Sequence, residues 1–193
     1  MKRQTIYPSS PCPSFSTGWL LLLMVLFAAT SRAGEPFLSY SDPTYGFSIK
    51  YPSSWRAESG KLPDSKLRVT PGVPGVACFV KVMKSERFPN ATPESAAATM
   101  YSESDKWEAM MQKMVPGFQL FESSRTRVNQ VAYWRTSAQF DTPVIDKTRN
   151  VEIRTASRGN IYSATCVAPL IEFDTYNTSF DDIIRSFRLS LSK

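Results

Sequence analysis

The 193-residue chain contains no histidine, and this restricts the chemistry that it could perform. Histidine is the most common general base and metal ligand, and Ser/His and Cys/His nucleophile pairs both require it. The sequence also contains no GxSxG elbow, phosphate-binding glycine loop or CxxC pair. We therefore expect that the protein is not an enzyme. A hydrolase that uses a serine-lysine or carboxylate pair is the catalytic alternative.

Carboxylates cluster at Asp181-Asp182 and around Glu172 and Asp174, where a hard cation such as calcium could in principle bind. Neighbouring residues on a helix point in different directions, however. Asp181 and Asp182 are therefore more simply explained as solvated acids in the first turn of a helix, where the helix dipole favours negative charge. We expect no cofactor, and the sequence leaves calcium open.

Cys78 and Cys166 both lie in apolar, alternating runs. In an exported protein they could form a disulfide, and two buried thiols in different strands are the alternative. The sequence does not decide between these two states.

Basic residues gather in the second half of the chain, close to Tyr133-Trp134. Successive residues of a strand point to opposite faces of the sheet, so one of these aromatic side chains should lie in the core while the other could be exposed. An exposed aromatic residue flanked by arginines resembles an interface anchor and suggests a docking face for an acidic protein. The solvated side of hairpins is the alternative. The candidate docking residues are Arg125, Arg127, Tyr133, Trp134, Arg135, Arg149 and Arg154.

Apolar residues at every second position, bounded by turn residues, predict seven strands. Because the connections between them are short, most consecutive strands should pair as antiparallel neighbours. The predicted strands span residues 47–51, 67–70, 76–83, 119–124, 131–140, 149–156 and 161–167. Arg158-Gly159-Asn160 predicts a tight hairpin between the last two strands.

Two helices are predicted among the strands. Thr92 can cap the first, with Pro93 at its first position, and Pro116-Gly117 ends it. Its apolar face comprises Ala97, Met100, Ser104, Trp107, Met111 and Met114. The methionines at 110, 111 and 114 could form an adaptable binding surface or a copper site, but core packing is the simpler explanation. The second helix spans residues 176–186.

Residues 1–33 are predicted to be a signal peptide, because Lys2 and Arg3 precede an apolar run and Ser31-Arg32-Ala33 offers small residues for cleavage. An uncleaved membrane anchor is the alternative, although the run of about eleven apolar residues is short for a bilayer span. We expect no transmembrane helix after cleavage.

Removal of residues 1–33 would take away three basic residues and no acidic one, which lowers the net charge from +6 to about +3. A charge this small does not favour a nucleic acid partner. Residues 34–38 are predicted to be a short leader, and residues 39–193 a single domain of ordinary size.

The run YGFSIKYPSSW, from Tyr45 to Trp55, resembles the opening motif of the Mog1/PsbP-like family, and FDDIIRSF, from Phe180 to Phe187, resembles its closing helix. The resemblance covers roughly residues 38–191. It implies an α+β fold: an α/β/α sandwich with a central antiparallel sheet of about six or seven strands and helices on its faces. The motif residues expected to fill the core or to end the strand are Gly46, Phe47, Ile49, Tyr51, Pro52, Trp55, Ser186 and Phe187.

Most members of this family are binding and assembly proteins. The resemblance therefore implies a non-catalytic, exported module that binds another protein, similar to the PsbP-like extrinsic photosystem II proteins or to an unassigned periplasmic relative. Its partner could belong to a membrane complex, with peripheral membrane contact, in the periplasm, the thylakoid lumen or the medium. The alternative is a module that binds a small ligand or lipid in a pocket between a helix and the sheet.

Overall fold

The computed structural model describes residues 35–60 and 64–190. The predicted signal peptide lies outside the described residues. The strands are β1 Phe37–Asp42, β2 Phe47–Pro52, β3 Arg56–Ser59, β4 Ser65–Thr70, β5 Ala77–Lys84, β6 Gln119–Val128, β7 Val131–Asp141, β8 Lys147–Ser157, β9 Asn160–Pro169 and β10 Arg188–Leu189. The helices are α1 Pro93–Ser102, α2 Ser104–Met114 and α3 Leu170–Ser186.

Two antiparallel sheets form the fold. The central sheet has seven strands in the order β3-β4-β5-β9-β8-β7-β6, and a small sheet has the order β1-β2-β10. Helix α3 and strand β2 cover one face of the central sheet, which we call the α3 face, and α1 packs over β7 and β8 on the other, the α1 face. The predicted α+β sandwich with a central antiparallel sheet is confirmed.

All seven predicted strands are present, and the described residues form three further strands that were not predicted. Phe37 and Leu38, expected in a leader, are instead the first residues of β1, where they pair with Pro52 and Tyr51 of β2. Hydrogen bonds to a neighbouring strand, rather than a local apolar pattern, hold β1 in place. The leader prediction therefore fails for these two residues.

The helices differ from prediction at their boundaries. The first is interrupted at Glu103, whose backbone angles (φ −105°, ψ 12°) are not helical, so that α1 and α2 are separate helices. Helix α3 begins six residues earlier than predicted, at Leu170. Asp181 and Asp182 consequently lie in the interior of α3, and Glu172 is the acidic residue of its first turn.

Thr92 caps α1, as its sequence predicts, and the cap is a capping box with Ser95. The Thr92 side chain accepts a hydrogen bond from the Ser95 backbone N–H (3.3 Å), and the Ser95 hydroxyl accepts one from the Thr92 N–H (3.1 Å). These two bonds satisfy backbone donors that the helix itself leaves unpaired. Ala96, Ala97 and Met100 are the buried residues of the helix.

The predicted motif residues fill the core on the α3 face. Phe47, Ile49, Tyr51, Trp55 and Phe187 are all buried. The Trp55 ring meets the rings of Tyr176 and Phe180 edge to face, with centroids 6.0 and 6.2 Å apart. Such aromatic pairs add to the stabilisation that burial alone provides.

Two motif residues, Ser186 and Gly46, have backbone roles. The Ser186 hydroxyl accepts a hydrogen bond from the Lys50 N–H (2.7 Å) and so joins α3 to β2. Gly46 adopts a φ of +66°, a conformation that residues with a Cβ rarely adopt, in the turn before β2.

Cys78 and Cys166 form a disulfide between directly opposed residues of β5 and β9, with Cα atoms 4.0 Å apart. Both residues are buried in the core of the α3 face. Among the described residues, no helix is long and apolar enough to cross a membrane.

Candidate functional site

The aromatic pair Tyr133-Trp134 is buried on both sides of β7, with exposed fractions of 0% and 3%. The expectation that one of the two rings could be exposed is therefore wrong. Both faces of β7 are covered: Tyr133 meets Phe187 on the α3 face, and Trp134 meets Trp107 of α2 on the α1 face, with centroids 6.1 and 5.0 Å apart.

The predicted docking arginines on the α3 face are engaged within the domain. Arg135 forms ion pairs with Glu122 (3.3 Å) and Asp181 (3.2 Å). The Arg149 guanidinium lies over the rings of Phe121 and Phe173, 5.1 and 4.7 Å from their centroids. These contacts tie α3 to the sheet.

The other predicted docking arginines belong to the α1 face. Arg127 pairs with Glu94 of α1, Arg154 pairs with Glu152 (2.8 Å), and Arg125 is exposed. The seven candidate residues are thus divided between opposite faces of the sheet. The structure does not bring them together as one docking face.

An open groove lies on the α1 face beside the helices. It has a volume of about 400 Å³ and follows β5, β9 and β8. We call it the sheet groove; its lining residues are Phe79, Lys81, Met83, Phe140, Asn150, Glu152, Arg154, Ser163, Thr165 and Val167. Because α1 packs over β7 and β8, the side chains on the α1 face of β5 remain accessible.

A second depression adjoins the sheet groove at Arg154, between the helices and the sheet. It has a volume of about 270 Å³, and we call it the tryptophan notch. Its lining residues are Arg87, Phe88, Met100, Glu103, Lys106, Trp107, Met110, Trp134, Arg154 and Ile161. The groove and the notch together form an extended surface with apolar walls. Local sequence patterns could not reveal this surface because it joins two helices to four strands.

The aromatic floor of the notch is rigidly held. Trp107 meets Phe118 and Trp134 edge to face, at centroid distances of 5.4 and 5.0 Å. The Trp134 indole N–H donates to the Ser123 hydroxyl (3.0 Å). A buried indole with its polar group satisfied fixes the ring orientation, so the notch is largely pre-formed.

The methionines of α2 lie on its surface instead of in the core. Met110 and Met114 have exposed fractions of 46% and 68%, and Met111 is half-buried. The preference for core packing is therefore wrong for Met110 and Met114. The interruption at Glu103 breaks the single apolar stripe, and Ser104 is the only described residue of α2 that is buried. Flexible, polarisable methionines on a surface suit adaptable contacts with a partner.

The charges of this surface leave a positive excess. Glu152, with 7% exposure, is paired with Arg154, and Glu103 is paired with Arg87. Neither Lys81 nor Lys106 has an acidic partner among the described residues. The surface can therefore attract negative charge while its apolar walls exclude water.

The described residues contain no group of three or more Cys, Asp or Glu side chains that could hold a metal ion. Asp181, which the sequence offered as a calcium ligand, instead pairs with Arg135.

The family model described as PsbP matches residues 35–189 of the chain. No curated protein matches the sequence. Among solved structures, cyanobacterial PsbP (CyanoP) from Synechocystis sp. PCC 6803 superposes with a TM-score of 0.59 at 15% identity, covering 86% of this chain and 99% of that one. LpqN of Mycobacterium tuberculosis, described as involved in cell envelope biogenesis, superposes with a TM-score of 0.50 at 15% identity, covering 82% and 87%. A protein from Bacteroides thetaiotaomicron superposes with a TM-score of 0.54 at 12% identity. The match covers 79% of this chain and 48% of that one. At these identities the structural matches establish the fold alone.

Proposed function

Because the chain belongs to the PsbP family, we propose that it is a non-catalytic, exported module that binds a partner protein through the sheet groove and the tryptophan notch. The single observation that carries this proposal is the accessible face of the central sheet beside α2. There, aromatic, methionine and lysine side chains line one continuous surface.

The partner surface that fits this site combines a bulky apolar side chain with acidic residues. The apolar side chain would enter the notch beside Trp107, where burial of its area supplies affinity. Acidic residues would lie near Lys81 and Lys106. Charge complementarity of this kind raises the association rate and selects the partner.

Export is supported by two features. Cys78 and Cys166 form a buried disulfide. Disulfides persist in oxidising compartments and are rare in the cytosol. The apolar run ahead of Ala33 has the composition of an export signal. The periplasm and the thylakoid lumen both meet these conditions, and the partner could be a membrane complex in either.

Site-specific photo-crosslinking in native cells tests the proposal. A photoreactive amino acid in place of Met110 or Lys81 should crosslink the same protein, because both positions line one surface. Ile171 at the start of α3, with 90% exposure, is the matched control and should not yield that product. Equal crosslinking from all three positions would contradict a specific contact.

Charge reversal then tests the partner's chemistry. Lys81→Glu with Lys106→Glu should weaken recovery of the crosslinked partner, and higher salt should weaken it in the wild type, because the attraction acts through solvent. Lys50→Glu, on an exposed residue of β2, is the control. If these variants behave alike, and extracted lipids instead raise the melting temperature, a lipid-binding function replaces the one proposed.

A further inference from the structure

Three exposed apolar side chains project from one end of the domain. Val144, in the turn between β7 and β8, is 93% exposed, and Ile171, in the first turn of α3, is 90% exposed. Leu170, which precedes Ile171, is exposed as well. We call these three residues the apolar tip. Isolated exposed apolar residues are common on protein surfaces, whereas a cluster of them marks an interaction site, so their positions relative to one another decide the interpretation.

The two segments of the apolar tip lie side by side. A Cβ atom added to Gly75 would lie 2.3 Å from Ile145 Cδ1 and 3.1 Å from Pro169 Cγ, so the side chains of Ile145 and Pro169 both lie beside Gly75. Ile145 directly follows Val144 in the chain, and Pro169 directly precedes Leu170. The tip is therefore one cluster, which two separate turns of the chain form together.

Hydrogen bonds hold the Val144 side chain in solvent. The Ile145 N–H donates to the Thr142 hydroxyl (3.0 Å), and the Thr142 N–H donates to the Ile145 carbonyl (3.2 Å), which closes the turn around Val144. The Asp141 N–H donates to the Pro116 carbonyl (2.9 Å) and so fixes the base of the turn. Val144 cannot fold back onto the domain unless these bonds break, so its exposure is a fixed feature of the turn.

The chain enters the domain at the same end. The Ser53 N–H donates to the Pro36 carbonyl (2.8 Å), shortly before β3 begins. Arg56, the first residue of β3, lies opposite Thr70, the last residue of β4. Thr70 in turn leads into the loop that contains Gly75. The sequence that precedes the domain is therefore joined to it at the end that carries the apolar tip.

We propose that the apolar tip inserts into the surface of a lipid bilayer. The apolar run from Trp19 to Ala29 ends six residues before Glu35. An export signal brings such a run to a membrane, and six residues of chain keep this end of the domain within about 20 Å of it until cleavage. A bilayer accepts projecting apolar side chains without a matching pocket, whereas a protein partner would have to supply one.

Charged groups of both signs flank the apolar tip. Asp146 and Glu172 are acidic, whereas Lys147 and Arg149 are basic. Attraction of the two basic residues to anionic lipid should therefore be largely offset by the two carboxylates. The strength of binding should follow the apolar area that the bilayer buries, and neither anionic lipid nor salt should change it strongly. The tip shares no residue with the linings of the sheet groove and the tryptophan notch, so this contact is separate from the proposed protein partner.

Lipid crosslinking of the full chain tests the contact directly. A photoreactive amino acid at Val144 or Ile171 should crosslink lipid in phosphatidylcholine vesicles. Tyr101 of α1 is the matched control, because its large side chain is also exposed but lies outside the tip, and this position should not crosslink lipid. Absence of lipid crosslinks at Val144 and Ile171, or equal crosslinking at all three positions, would overturn the proposal. Crosslinking of one protein instead of lipid in native cells would assign the tip to a protein interface.

Vesicle cosedimentation measures what the tip contributes. It uses protein from the periplasm of an expressing bacterium, with removal of residues 1–33 verified by mass, because the apolar run would itself bind lipid. Val144→Ser with Ile171→Ser should weaken partitioning into phosphatidylcholine vesicles at least about tenfold, since the bilayer then buries less apolar area. Tyr101→Ser should leave partitioning unchanged, and melting temperatures should match the wild type because the replaced side chains are exposed. Equal partitioning of all folded variants would refute the proposal, as would binding that requires phosphatidylglycerol and is lost in high salt.

Discussion

Loss of the Cys78–Cys166 disulfide should destabilise the domain severely. The bond closes a loop with a sequence separation of 88 residues. In the chain-entropy model, a loop of this length constrains the unfolded chain by about 4 to 5 kcal/mol at 25 °C. A natural domain is stable by only about 5 to 15 kcal/mol, so the reduced protein should be close to its unfolding threshold.

Urea unfolding of three forms measures this effect: the oxidised wild type, the reduced wild type, and the double variant Cys78→Ala/Cys166→Ala. The two forms without the bond should lose about 4 to 5 kcal/mol in the free energy of unfolding. Their unfolding should also depend more steeply on urea, because a chain without the cross-link exposes more surface when it unfolds.

Peptide mass mapping under non-reducing conditions provides the control, since it establishes which samples contain the Cys78–Cys166 bond. A difference below about 1 kcal/mol between verified oxidised and reduced samples would refute the reasoning. It would mean that the unfolded chain already keeps β5 and β9 close together without the bond.

Further predictions concern buried polar groups. The Tyr133 hydroxyl is buried without a hydrogen-bond partner among the described residues, so Tyr133→Phe should raise the free energy of unfolding by about 1 kcal/mol in urea titrations. Burial raises the pKa of Tyr133; above about pH 10 the unfolded chain loses this proton while the folded chain keeps it. Stability should therefore fall as pH rises beyond that point, by up to about 1.4 kcal/mol per pH unit for this group, and less steeply in Tyr133→Phe, as pH-dependent melting would show. Arg154→Met would leave the Glu152 carboxylate buried and unpaired; it should cost about 3 kcal/mol, more than Arg154→Met combined with Glu152→Met, and a double-mutant cycle measures the difference. Ser123→Ala should cost about 1 kcal/mol and alter the fluorescence of Trp134, whose indole loses its acceptor.

The sequence predicted the strands that carry their own apolar pattern. Residues 47–51 alternate clearly, and Phe47, Ile49 and Tyr51 are buried in β2 as expected. In contrast, no residue of β1 is fully buried, and this strand forms because its backbone pairs with that of β2. A strand that is stabilised mainly by backbone pairing with its neighbour need not have an alternating apolar pattern in its own sequence.

The candidate site was less predictable because it depends on which elements meet. Tyr133 and Trp134 are adjacent in sequence, and alternation correctly sends them to opposite faces, but only the tertiary fold shows that both faces are covered. Arg135 was similarly expected to be available for docking, whereas α3 brings Asp181 to it. Met111 and Met114 were placed on the apolar face on the assumption that residues 93–114 form one unbroken helix, whereas Met114 is exposed.

The pairing of β10 with β2 has a consequence for how the chain folds. Arg188 lies opposite Ser48, about 140 residues away in sequence, and Phe187 packs against Phe47 beside this pair. Until residues 187–189 are available, the edge of β2 at Phe47 and Ser48 is unpaired, and the Phe47 ring has Tyr40 but not Phe187 as an aromatic neighbour. Contacts between such distant residues form slowly, and partly formed sheets with open edges are prone to aggregate. The pairing of β10 with β2 should therefore be a late step in folding. A nascent chain that does not yet include Phe187 should be the form most prone to aggregate.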